Sequence, residues 1–428
     1  MFFERPDPGS RALLVHVDTS DSDLASLDEL KELVESASLS PVKSIVSKRR
    51  IPHPATFLGQ GKVSEIAALV RLAHLDLVVF DAELTPSQGR NLERQFGIRV
   101  IDRTDLILQI FSQRARTHEG KLQVELAQLA HASTRLIRGW THLDRQRGGS
   151  GRGAGSASGL AGAGETQLEA DQRMLDARTR RVAGRLDKVR RQRSQSRRAR
   201  KRSDTKLVSL AGYTNAGKST LFNRLCSTSV LEADQLFATL DPTLRKVSIP
   251  ILGNIIISDT VGFIRQLPHS LVDAFRATLE EVSSADLILH VVDESAEFRL
   301  ERISEVESVL GEIGACNIPS LLVYNKVDIS GAQARIERDT SGRPMKVWVS
   351  ARIGIGLDLL RVAIAELLAE DLIETTIEIQ PHEGGLRSRL FALGAVVNEQ
   401  TDCSGVNHVQ LRIDKRDLDR IRRMELVK

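Results

Sequence analysis

Short apolar runs alternate with helically spaced segments through the first 114 residues. The runs "ALLVHV" (12–17), "LDLVVF" (75–80) and "IRVI" (98–101) are almost free of polar positions, as strands buried on both faces of a sheet are. The stretches "KVSEIAALVRLAH" and "SQGRNLERQFG" between them have helical spacing. The pattern predicts an α/β subdomain over residues 1–114, built on a parallel sheet.

A longer period governs residues 115–203. Apolar residues are spaced by three, four and seven positions before a glycine-rich stretch at 148–164 and by seven after it, at Leu122, Leu126, Leu129, Leu136, Leu168, Leu175, Val182 and Val189. A seven-residue repeat keeps one apolar stripe against a partner helix. We therefore expect a long antiparallel helical hairpin whose tip is the glycine-rich loop.

The rest of the chain returns to strands and helices. Residues 204–370 contain the apolar runs "TKLVSLAGY", "RKVSIP", "NIIISDTVG", "ADLILHVVD", "PSLLVYNKVD" and "MKVWVSA", which predict a second α/β domain. Residues 371–428 contain the strand-like "TTIEIQ" and "HVQLRID", a helix-like "EGGLRSRLFALGAVVNEQ" and a charged terminal helix. This last part predicts a small α+β domain.

Composition narrows the cellular setting. The 428 residues are 41% hydrophobic and 27% charged, and Cys226, Cys316 and Cys403 form no CxxC pair. This cysteine usage argues against a disulfide framework or a thiolate metal site and fits a reducing cytosol. The first residues do not resemble a signal peptide, and no apolar run approaches the ~20 residues that span a bilayer. We expect a cytoplasmic protein without membrane insertion.

The charge is unevenly distributed. Residues 112–202 hold 22 Lys and Arg against 8 Asp and Glu, a net +14, whereas the remainder holds 38 against 48, a net −10. A concentrated positive charge suggests a polyanionic partner, although a solvated helical face is an equal alternative on charge alone. The candidate RNA contacts are Arg152, Arg190, Arg191, Arg193, Arg197 and Arg198.

A phosphate-binding loop stands at the start of the second α/β domain. "GYTNAGKST" (212–220) follows an apolar strand, precedes a helical segment and matches G-x-x-x-x-G-K-[ST]. Backbone N–H groups and the helix N-terminus face the anion, Lys218 reaches the outer phosphates, and Ser219 binds Mg²⁺. The predicted contacts are Gly212, Tyr213, Thr214, Asn215, Ala216, Gly217, Lys218, Ser219 and Thr220.

Two later motifs predict that the base is guanine. "NKVD" ends an apolar strand about a hundred residues after the phosphate loop, where Asp328 can accept hydrogen bonds from the guanine N1–H and 2-amino group. Asn325 can donate to the base edge, the Lys326 stem can cover the ring, and "SAR" can offer backbone N–H groups to O6. The predicted base contacts are Asn325, Lys326, Val327, Asp328, Ser350, Ala351 and Arg352.

The segments between these motifs predict a metal and γ-phosphate site. In "DTVG", Asp259 would bind Mg²⁺ through water and the Gly262 N–H would contact the γ-phosphate. In "FATLD", Thr239 would supply a second hydroxyl to Mg²⁺, with Thr243 as the less favoured alternative. Nucleotide contacts are predicted at Phe237, Ala238, Thr239, Leu240, Asp241, Asp259, Thr260, Val261 and Gly262, and metal ligation at Ser219, Thr239 and Asp259.

Two positions bear on catalysis. Ras-like GTPases place a water-orienting glutamine just after the DxxG glycine, and this chain has Phe263 there. We expect slow hydrolysis that a partner accelerates, unless another side chain replaces the glutamine. Asn215 resembles the asparagine of potassium-activated GTPases, which makes K⁺ a hypothetical second ion. The predicted catalytic residues are Lys218, Thr239, Gly262 and Asn215.

These motifs together resemble the HflX family of ribosome-associated GTPases. The resemblance rests on "GYTNAGKSTLFN", "LFATLDPTLR", "DTVGFIRQLPHSLVDAF", "FLGQGKVSEI" and "GAGETQLEADQR", and it covers roughly residues 50–370. It implies a P-loop GTPase domain behind an α/β subdomain and a helical hairpin whose loop faces ribosomal RNA. It also implies Mg²⁺, binding to the 50S subunit and 70S ribosome, stimulation by ribosomes, and a role in splitting, rescue or recycling.

The chain departs from the family pattern in its loop. Ala161 and Ala163 stand at the family's arginine and proline positions, and Gln172 stands where arginine is usual.

We expect a monomer away from the ribosome. A GTP-dependent RNA chaperone or ribosome-assembly factor without splitting activity is the alternative function. A GTP-timed modifying enzyme is disfavoured because His131, His142, His269 and His290 lie in unrelated segments. The glycine turn at 58–62 is either a second nucleotide site or, as we prefer, a structural turn.

Overall fold

The computed structural model describes most of the chain. The described residues are 6–18, 24–48, 51–147, 161–202, 205–226, 236–237, 239–249, 252–265, 281–368, 372–380, 384–392, 395–402 and 406–414. Of the predicted features, Arg152, Ala238, the loop residues 148–160 and the terminal helix after residue 414 lie outside these ranges. The side chains of Arg197 and Arg198 also lie outside what is described.

The first α/β unit is built on a four-stranded sheet in which all three strand pairings are parallel. The strand order is β2-β1-β3-β4, and the elements are β1 (Arg11–Asp18), α1 (Leu24–Ser36), β2 (Ser40–Lys48), α2 (Gln60–Leu72), β3 (Leu77–Phe80), α3 (Pro86–Phe96), β4 (Arg99–Ile101) and α4 (Arg103–Arg114). The predicted apolar runs form β1, β3 and β4. The turn at 58–62 starts α2, with Gly59 at the N-cap and Lys62 paired with Glu65 at 2.8 Å.

Strand β2 was not predicted. It lies at the edge of the sheet, and its exposed positions are interspersed with partly buried ones and with the buried Ile45 and Ser47. Pro41, Lys43 and Lys48 occupy it, and such residues discourage an edge strand from pairing with other chains. An edge strand of this kind has no apolar run for the pattern to detect.

Two long helices follow, α5 (His118–Arg147) and α6 (Ala161–Arg202). They run antiparallel, because Glu119 pairs with Arg193 at 2.7 Å while the later Glu125 pairs with the earlier Arg178 at 2.7 Å. A buried cluster joins them through Leu122, Leu129, Leu175, Val182 and Leu186, with Leu126 packed against it. Helix α6 begins at Ala161, so residues 161–164 of the predicted loop are helical, since alanine at 161 and 163 favours a helix.

The second α/β unit has a seven-stranded sheet in the order β10-β11-β9-β8-β5-β7-β6, in which only the outermost strand at each edge is antiparallel to its neighbour. Its elements are β5 (Leu207–Gly212), α7 (Lys218–Cys226), β6 (Thr243–Ile249), β7 (Gly253–Asp259), β8 (Leu287–Asp293), α8 (Arg299–Glu312), β9 (Ser320–Asn325), α9 (Val327–Ser330), β10 (Ile336–Arg338), β11 (Pro344–Trp348) and α10 (Leu357–Leu368). The carboxyl ends of β5 and β9 carry the predicted nucleotide motifs.

The third unit is an antiparallel sheet in the order β12-β14-β13 with one described helix. Its elements are β12 (Leu372–Ile379), α11 (Gly384–Ala392), β13 (Val396–Thr401) and β14 (Asn407–Asp414). The helix predicted through residue 400 is wrong in its second half, which forms β13. Gly394 interrupts the helical pattern, and Val396 and Val397 favour a strand. None of the described helices combines the length and apolar character that crossing a bilayer requires.

A buried ionic network joins the first unit to the second. The Arg103 guanidinium donates to Asp81 at 2.5 Å, to Glu29, and to the Arg265 carbonyl at 3.0 Å. The Tyr213 hydroxyl donates to Glu29 and accepts from the Arg265 N–H at 2.9 Å. Burial alone would lower the pKa of Arg103, but the two carboxylates raise it above its usual value. The phosphate loop is therefore attached to α1 of the first unit.

We predict that the packing between α5 and α6 depends on Leu175 far more than on its neighbour Met174. Leu175 is 1% exposed in the α5–α6 cluster, whereas Met174 is 55% exposed. Leu175→Ala should cost about 2–5 kcal/mol because it removes buried apolar surface and leaves a cavity. Met174→Ala should change stability by less than about 0.5 kcal/mol. Hydrogen-exchange protection of the α6 amides measures both variants, and equal losses would contradict the observed packing.

Candidate nucleotide-binding site

A cavity of about 420 Å³ lies at the carboxyl ends of the central strands of the seven-stranded sheet. It brings together residues from every predicted nucleotide motif. Its predicted lining residues are Thr214, Asn215, Gly217, Lys218, Ser219, Thr220, Phe237, Thr239, Thr260, Gly262, Asn325, Lys326, Asp328, Ala351 and Arg352. Ile329, which was not predicted, also lines it.

The phosphate loop is folded around Lys218. Its ammonium group donates to the Tyr213 carbonyl at 2.6 Å. Burial lowers the pKa of Lys218 to about 8, and the nearby Asp259 carboxylate partly opposes this shift. Gly217 has a φ of +88°, and a Cβ there would lie 2.2 Å from Asn325 Nδ2. Only glycine allows the loop to approach the NKVD segment so closely.

Three oxygen-bearing side chains converge beside Lys218. Ser219 Oγ lies 2.8 Å from both Thr239 Oγ1 and Asp259 Oδ2, and Thr239 Oγ1 donates to Asp259 Oδ2 at 2.9 Å. Burial raises the pKa of Asp259, while hydrogen bonds from the two hydroxyls and the Lys218 charge oppose the rise. Thr243, the alternative ligand, starts β6 opposite Asp259 in the β6–β7 pairing, and none of the described side-chain hydrogen bonds joins its hydroxyl to Ser219 or Asp259.

This cluster fits a hard divalent cation. Two hydroxyls and a carboxylate are the oxygen donors that Mg²⁺ prefers. The second carboxylate oxygen of Asp259, Oδ1, is buried and has no hydrogen-bond partner among the described residues. A bound cation with its water shell would satisfy that oxygen, so the donor set and the orphaned atom agree with the predicted ligation.

The residues after Asp259 pack tightly against the phosphate loop. A Cβ at Gly262 would lie 2.9 Å from Lys218 Nζ and 2.8 Å from Thr214 Cγ2. The Phe263 N–H donates to the Gly212 carbonyl at 3.1 Å, and its carbonyl accepts from the Thr214 N–H at 2.7 Å. The Phe263 ring is buried with Tyr213 and neighbouring apolar side chains, so it does not line the cavity.

The base end of the cavity is braced by Asn325, which is 2% exposed. Its Nδ2 donates to the Ala216 carbonyl and its Oδ1 accepts from the Ala351 N–H, both at 2.9 Å. Asn325 therefore ties the phosphate loop to the SAR loop instead of pointing a free amide at a base. The Ala351 N–H is likewise already engaged.

Asp328 is the exposed acceptor of the base end. The Ser350 hydroxyl donates to Asp328 Oδ1 at 2.6 Å, which orients the carboxylate toward the cavity. Lys326 has a φ of +66° and lies 2.8 Å from Asp293, so its stem is fixed beside the opening. Ile329 adds an apolar wall, and the sequence gives no separate signal for it beyond its place next to Asp328.

The remaining predicted nucleotide contacts support the cavity from outside or point elsewhere. Asp259 joins the cluster of oxygen ligands by accepting a hydrogen bond from Ser219, and Ser350 orients Asp328 by donating to it. The Tyr213 ring points to Glu29, Val327 packs with Tyr324 and Trp348, and Leu240 and Val261 are buried against the first unit. Asp241 bonds to residues before α5. Gly212 and Ala216 contribute backbone atoms to the loop.

The candidate RNA contacts on α6 are unequal. Arg193 pairs with Glu119 at 2.7 Å and holds α6 to α5, and Arg190 lies 3.9 Å from Asp187. Arg191 and Lys188 are exposed.

The described histidines form no catalytic constellation with each other. Burial, and then the Lys218 charge, lowers the pKa of His290 to about 4, while His131 pairs with Asp105 at 3.1 Å.

Comparison with known proteins covers nearly the whole chain. Three families match in succession: a GTP-binding GTPase N-terminal region at residues 24–112, a GTP-binding GTPase middle region at 114–200, and a 50S ribosome-binding GTPase at 207–326. The GTPase HflX of Escherichia coli is 49% identical over 426 residues, which are 99% of this chain and 98% of that protein. The GTPase HflX of Magnetococcus marinus is 43% identical over 89% of this chain and 86% of that protein.

A crystal structure of a GTP-binding protein from Sulfolobus solfataricus in complex with GDP is 22% identical and covers 83% of this chain and 98% of that chain, with a TM-score of 0.43. The family assignment itself rests on the sequence relatives. The resemblance predicted from the motifs is confirmed by these two relatives, which align with nearly all of the chain at 49% and 43% identity. This chain is a GTPase that belongs to the HflX family.

Proposed function

We propose that this GTPase binds GTP and Mg²⁺ in the cavity described above and hydrolyses GTP on the large ribosomal subunit in the cytoplasm. The single observation that carries the nucleotide assignment is the Ser219–Thr239–Asp259 cluster beside Lys218. The ribosomal assignment is supported by the family match at 207–326 and by the net +14 charge of residues 112–202. Neutralised RNA phosphates supply sequence-independent affinity.

The residues of the cavity have distinct roles in binding GTP and Mg²⁺. Lys218 leaves the Tyr213 carbonyl and turns to the outer phosphates, and the Gly262 N–H donates to the γ-phosphate. Ser219 and Thr239 contribute hydroxyl oxygens to Mg²⁺, and Asp259 holds its water. Mg²⁺, when bound, neutralises charge that develops on the phosphate oxygens. Asp328 accepts from the guanine edge, and Asn325 keeps the base loop and phosphate loop in register.

Hydrolysis by the chain alone is proposed to be slow. The Phe263 ring is buried in the apolar core and orients no water. Asn215 is exposed at the cavity with a φ of +59°, where it can help to hold K⁺ beside the phosphates. A ribosomal contact would then supply what Phe263 cannot. Ribosome splitting, rescue or recycling follows as the proposed outcome, with a monomer as the free form.

A second candidate is a GTP-dependent RNA chaperone or assembly factor. The same basic hairpin favours it, because phosphate contacts do not depend on the particle that carries the RNA. The two functions differ in what happens to 70S ribosomes. Loss of the 70S peak on sucrose gradients with protein and GTP supports splitting, whereas intact 70S at saturating protein supports the chaperone function.

We predict that Asp328→Asn destroys guanine recognition. The substitution keeps one acceptor for the N1–H but places an amide donor opposite the guanine 2-amino group, which is also a donor, so affinity for GTP should fall by about 10²-fold or more. Xanthosine triphosphate, whose 2-oxygen accepts where guanine donates, should bind the variant better than GTP does. Titration calorimetry with both nucleotides measures the exchange. Unchanged GTP affinity would contradict the role of Asp328.

We predict that hydrolysis is faster in K⁺ than in Na⁺ and that Asn215→Ala removes the difference. A cation at Asn215 would neutralise transition-state charge, an effect that can reach about 10²-fold. Phosphate release in matched KCl and NaCl buffers measures it. Thr220→Ser serves as a control in the same loop because it keeps the hydroxyl. Equal rates in both salts for the unmodified protein would exclude K⁺.

We predict that 50S subunits stimulate hydrolysis and that the tip of the hairpin contributes. Deletion within residues 148–160 should lower the stimulation and the affinity for 50S without changing the basal rate. Lys188→Ala with Arg191→Ala should reduce the salt dependence of binding by about 0.7–0.9 in log–log slope for each RNA phosphate that the helix no longer neutralises. Pelleting with 50S at several KCl concentrations measures both.

The matched control is Arg361→Ala on α10, which removes a partly exposed arginine, paired with Asp358 at 3.0 Å, from the GTPase unit. If it lowers 50S affinity as much as the α6 variants do, the hairpin is not the RNA-binding surface. Stimulation that survives the loop deletion at full strength would remove the tip from the proposed mechanism.

A further inference from the structure

Asp241 lies two residues after Thr239, and its carboxylate is bound to the start of α5. Asp241 Oδ2 accepts from the backbone N–H groups of Arg116 at 3.0 Å and Thr117 at 2.8 Å. Asp241 Oδ1 accepts from the Thr117 hydroxyl at 2.5 Å. The Thr117 hydroxyl in turn accepts from the Gly120 N–H at 3.0 Å, as an N-cap does. One carboxylate thus completes the cap of the hairpin's first helix.

The first turn of α5 is shaped for this carboxylate. A Cβ at Gly120 would lie 2.2 Å from Asp241 Oδ1, so no larger residue fits while the contact exists. The N-terminus of a helix also carries a partial positive charge, which favours an anionic side chain there. The available space, the hydrogen bonds and the helix charge therefore all favour a carboxylate at this contact between the hairpin and the GTPase unit.

The other side of Thr239 is anchored as well. The Phe237 ring lies edge-on to Phe111 of α4, with centroids 4.7 Å apart and an interplanar angle of 82°. The Leu236 N–H donates to the Ser36 hydroxyl at 3.0 Å at the end of α1. Leu236, Phe237 and Leu240 are all buried in the core of the first unit. The segment around Thr239 is therefore held from both sides by residues outside the GTPase unit.

We infer that Asp241 is a positioning residue, which keeps Thr239 in its metal-binding place by bonding to the first turn of α5. This inference rests on the proposed role of Thr239 as an Mg²⁺ ligand. A loose segment would have to be ordered when Mg²⁺ and GTP bind, and its competent fraction would scale the apparent affinity. The anchors order the segment before GTP binds and so remove that cost from GTP binding. GDP binding does not carry this cost, because GDP needs no ligand from Thr239.

The coupling is reciprocal. If Asp241 links α5 to Thr239, a displacement of the first turn of α5 changes the affinity for Mg²⁺ and GTP by the same factor as their binding changes the stability of that turn. A polyanion that binds the basic hairpin and shifts it would therefore act on the metal site through the contact of Asp241 with Arg116 and Thr117.

Asp241→Ala tests the inference. We expect affinity for the Mg²⁺ complex of guanosine 5′-(β,γ-imido)triphosphate to fall about tenfold, while affinity for GDP stays within about twofold. The Mg²⁺ concentration at half-maximal hydrolysis should rise. Thr117→Val, which removes the hydroxyl from the other partner, should give the same pattern, and the double variant should not add to it. Thr117→Ser keeps the hydroxyl and should restore nearly normal binding.

Asp339→Ala is the matched control. Asp339 accepts from two backbone N–H groups and one hydroxyl, at Ser341 and Arg343, in an exposed turn far from Thr239. It should leave both affinities unchanged. Equal losses for GDP and the triphosphate analogue in Asp241→Ala, or no loss for either, would overturn the inference.

Thr239→Ala, measured in parallel, separates this inference from the proposed function. If Thr239→Ala leaves the Mg²⁺ dependence unchanged, the metal role of Thr239 fails, and the inference falls with it. If Thr239→Ala raises the Mg²⁺ requirement while Asp241→Ala and Thr117→Val do not, only the positioning role is overturned. Hydrogen exchange of the α5 first turn gives a second measurement, because the bound triphosphate analogue should increase its protection in the unmodified chain and not in Asp241→Ala.

Discussion

The buried guanidinium of Arg103 is the constraint on which the arrangement of the two α/β units depends. A buried charge is costly unless it is paired and hydrogen-bonded, and the second unit supplies one of the three described partners of Arg103. Glu29 lies on α1 and Asp81 follows β3 in the first unit, whereas the Arg265 carbonyl comes from the segment after Gly262. Separation of the units would leave Arg103 with an unpaired N–H and would take the Tyr213 hydroxyl from Glu29.

The fold was predictable where burial produces a pattern in the sequence. Strands β1 and β3 and the centre of the seven-stranded sheet are buried on both faces, and each is an apolar run. Strand β4 lies at an edge, but its Val100 and Ile101 are buried and kept the pattern visible. Strand β2 and the three-residue β10 lie at sheet edges with more than half of their positions exposed, so no apolar run exists there. The helix predicted through residue 400 followed apolar spacing past Gly394, where a valine pair forms a strand instead.

The cavity was predictable to the extent that phosphate and guanine chemistry is local. Lys218 bonds to Tyr213 within the same motif, and a short motif encodes such a contact. Gly217 and Asp328 were also recognised from their motifs, although their contacts with Asn325 and Ser350 lie outside those motifs. Asn325 and Tyr213 act at a distance of a hundred residues or more, on Ala216 and Glu29 respectively. No spacing rule in a single sequence relates Tyr213 to Glu29, because their contact exists only after two sheets have folded and docked.

The two elements that are proposed to contact the γ-phosphate are both attached to the first unit, by different kinds of interaction. The segment of Thr239 is held through apolar burial at Phe237 and through hydrogen bonds at Asp241. The segment after Gly262 is held through backbone bonds of Arg265 to Arg103 and Tyr213. Since packed cores and interfaces are bistable rather than continuously deformable, a change at the phosphates should move these contacts as units. The first unit and the hairpin together therefore contact both of these segments, and if the segments respond to the γ-phosphate as proposed, the docking of the units should respond with them.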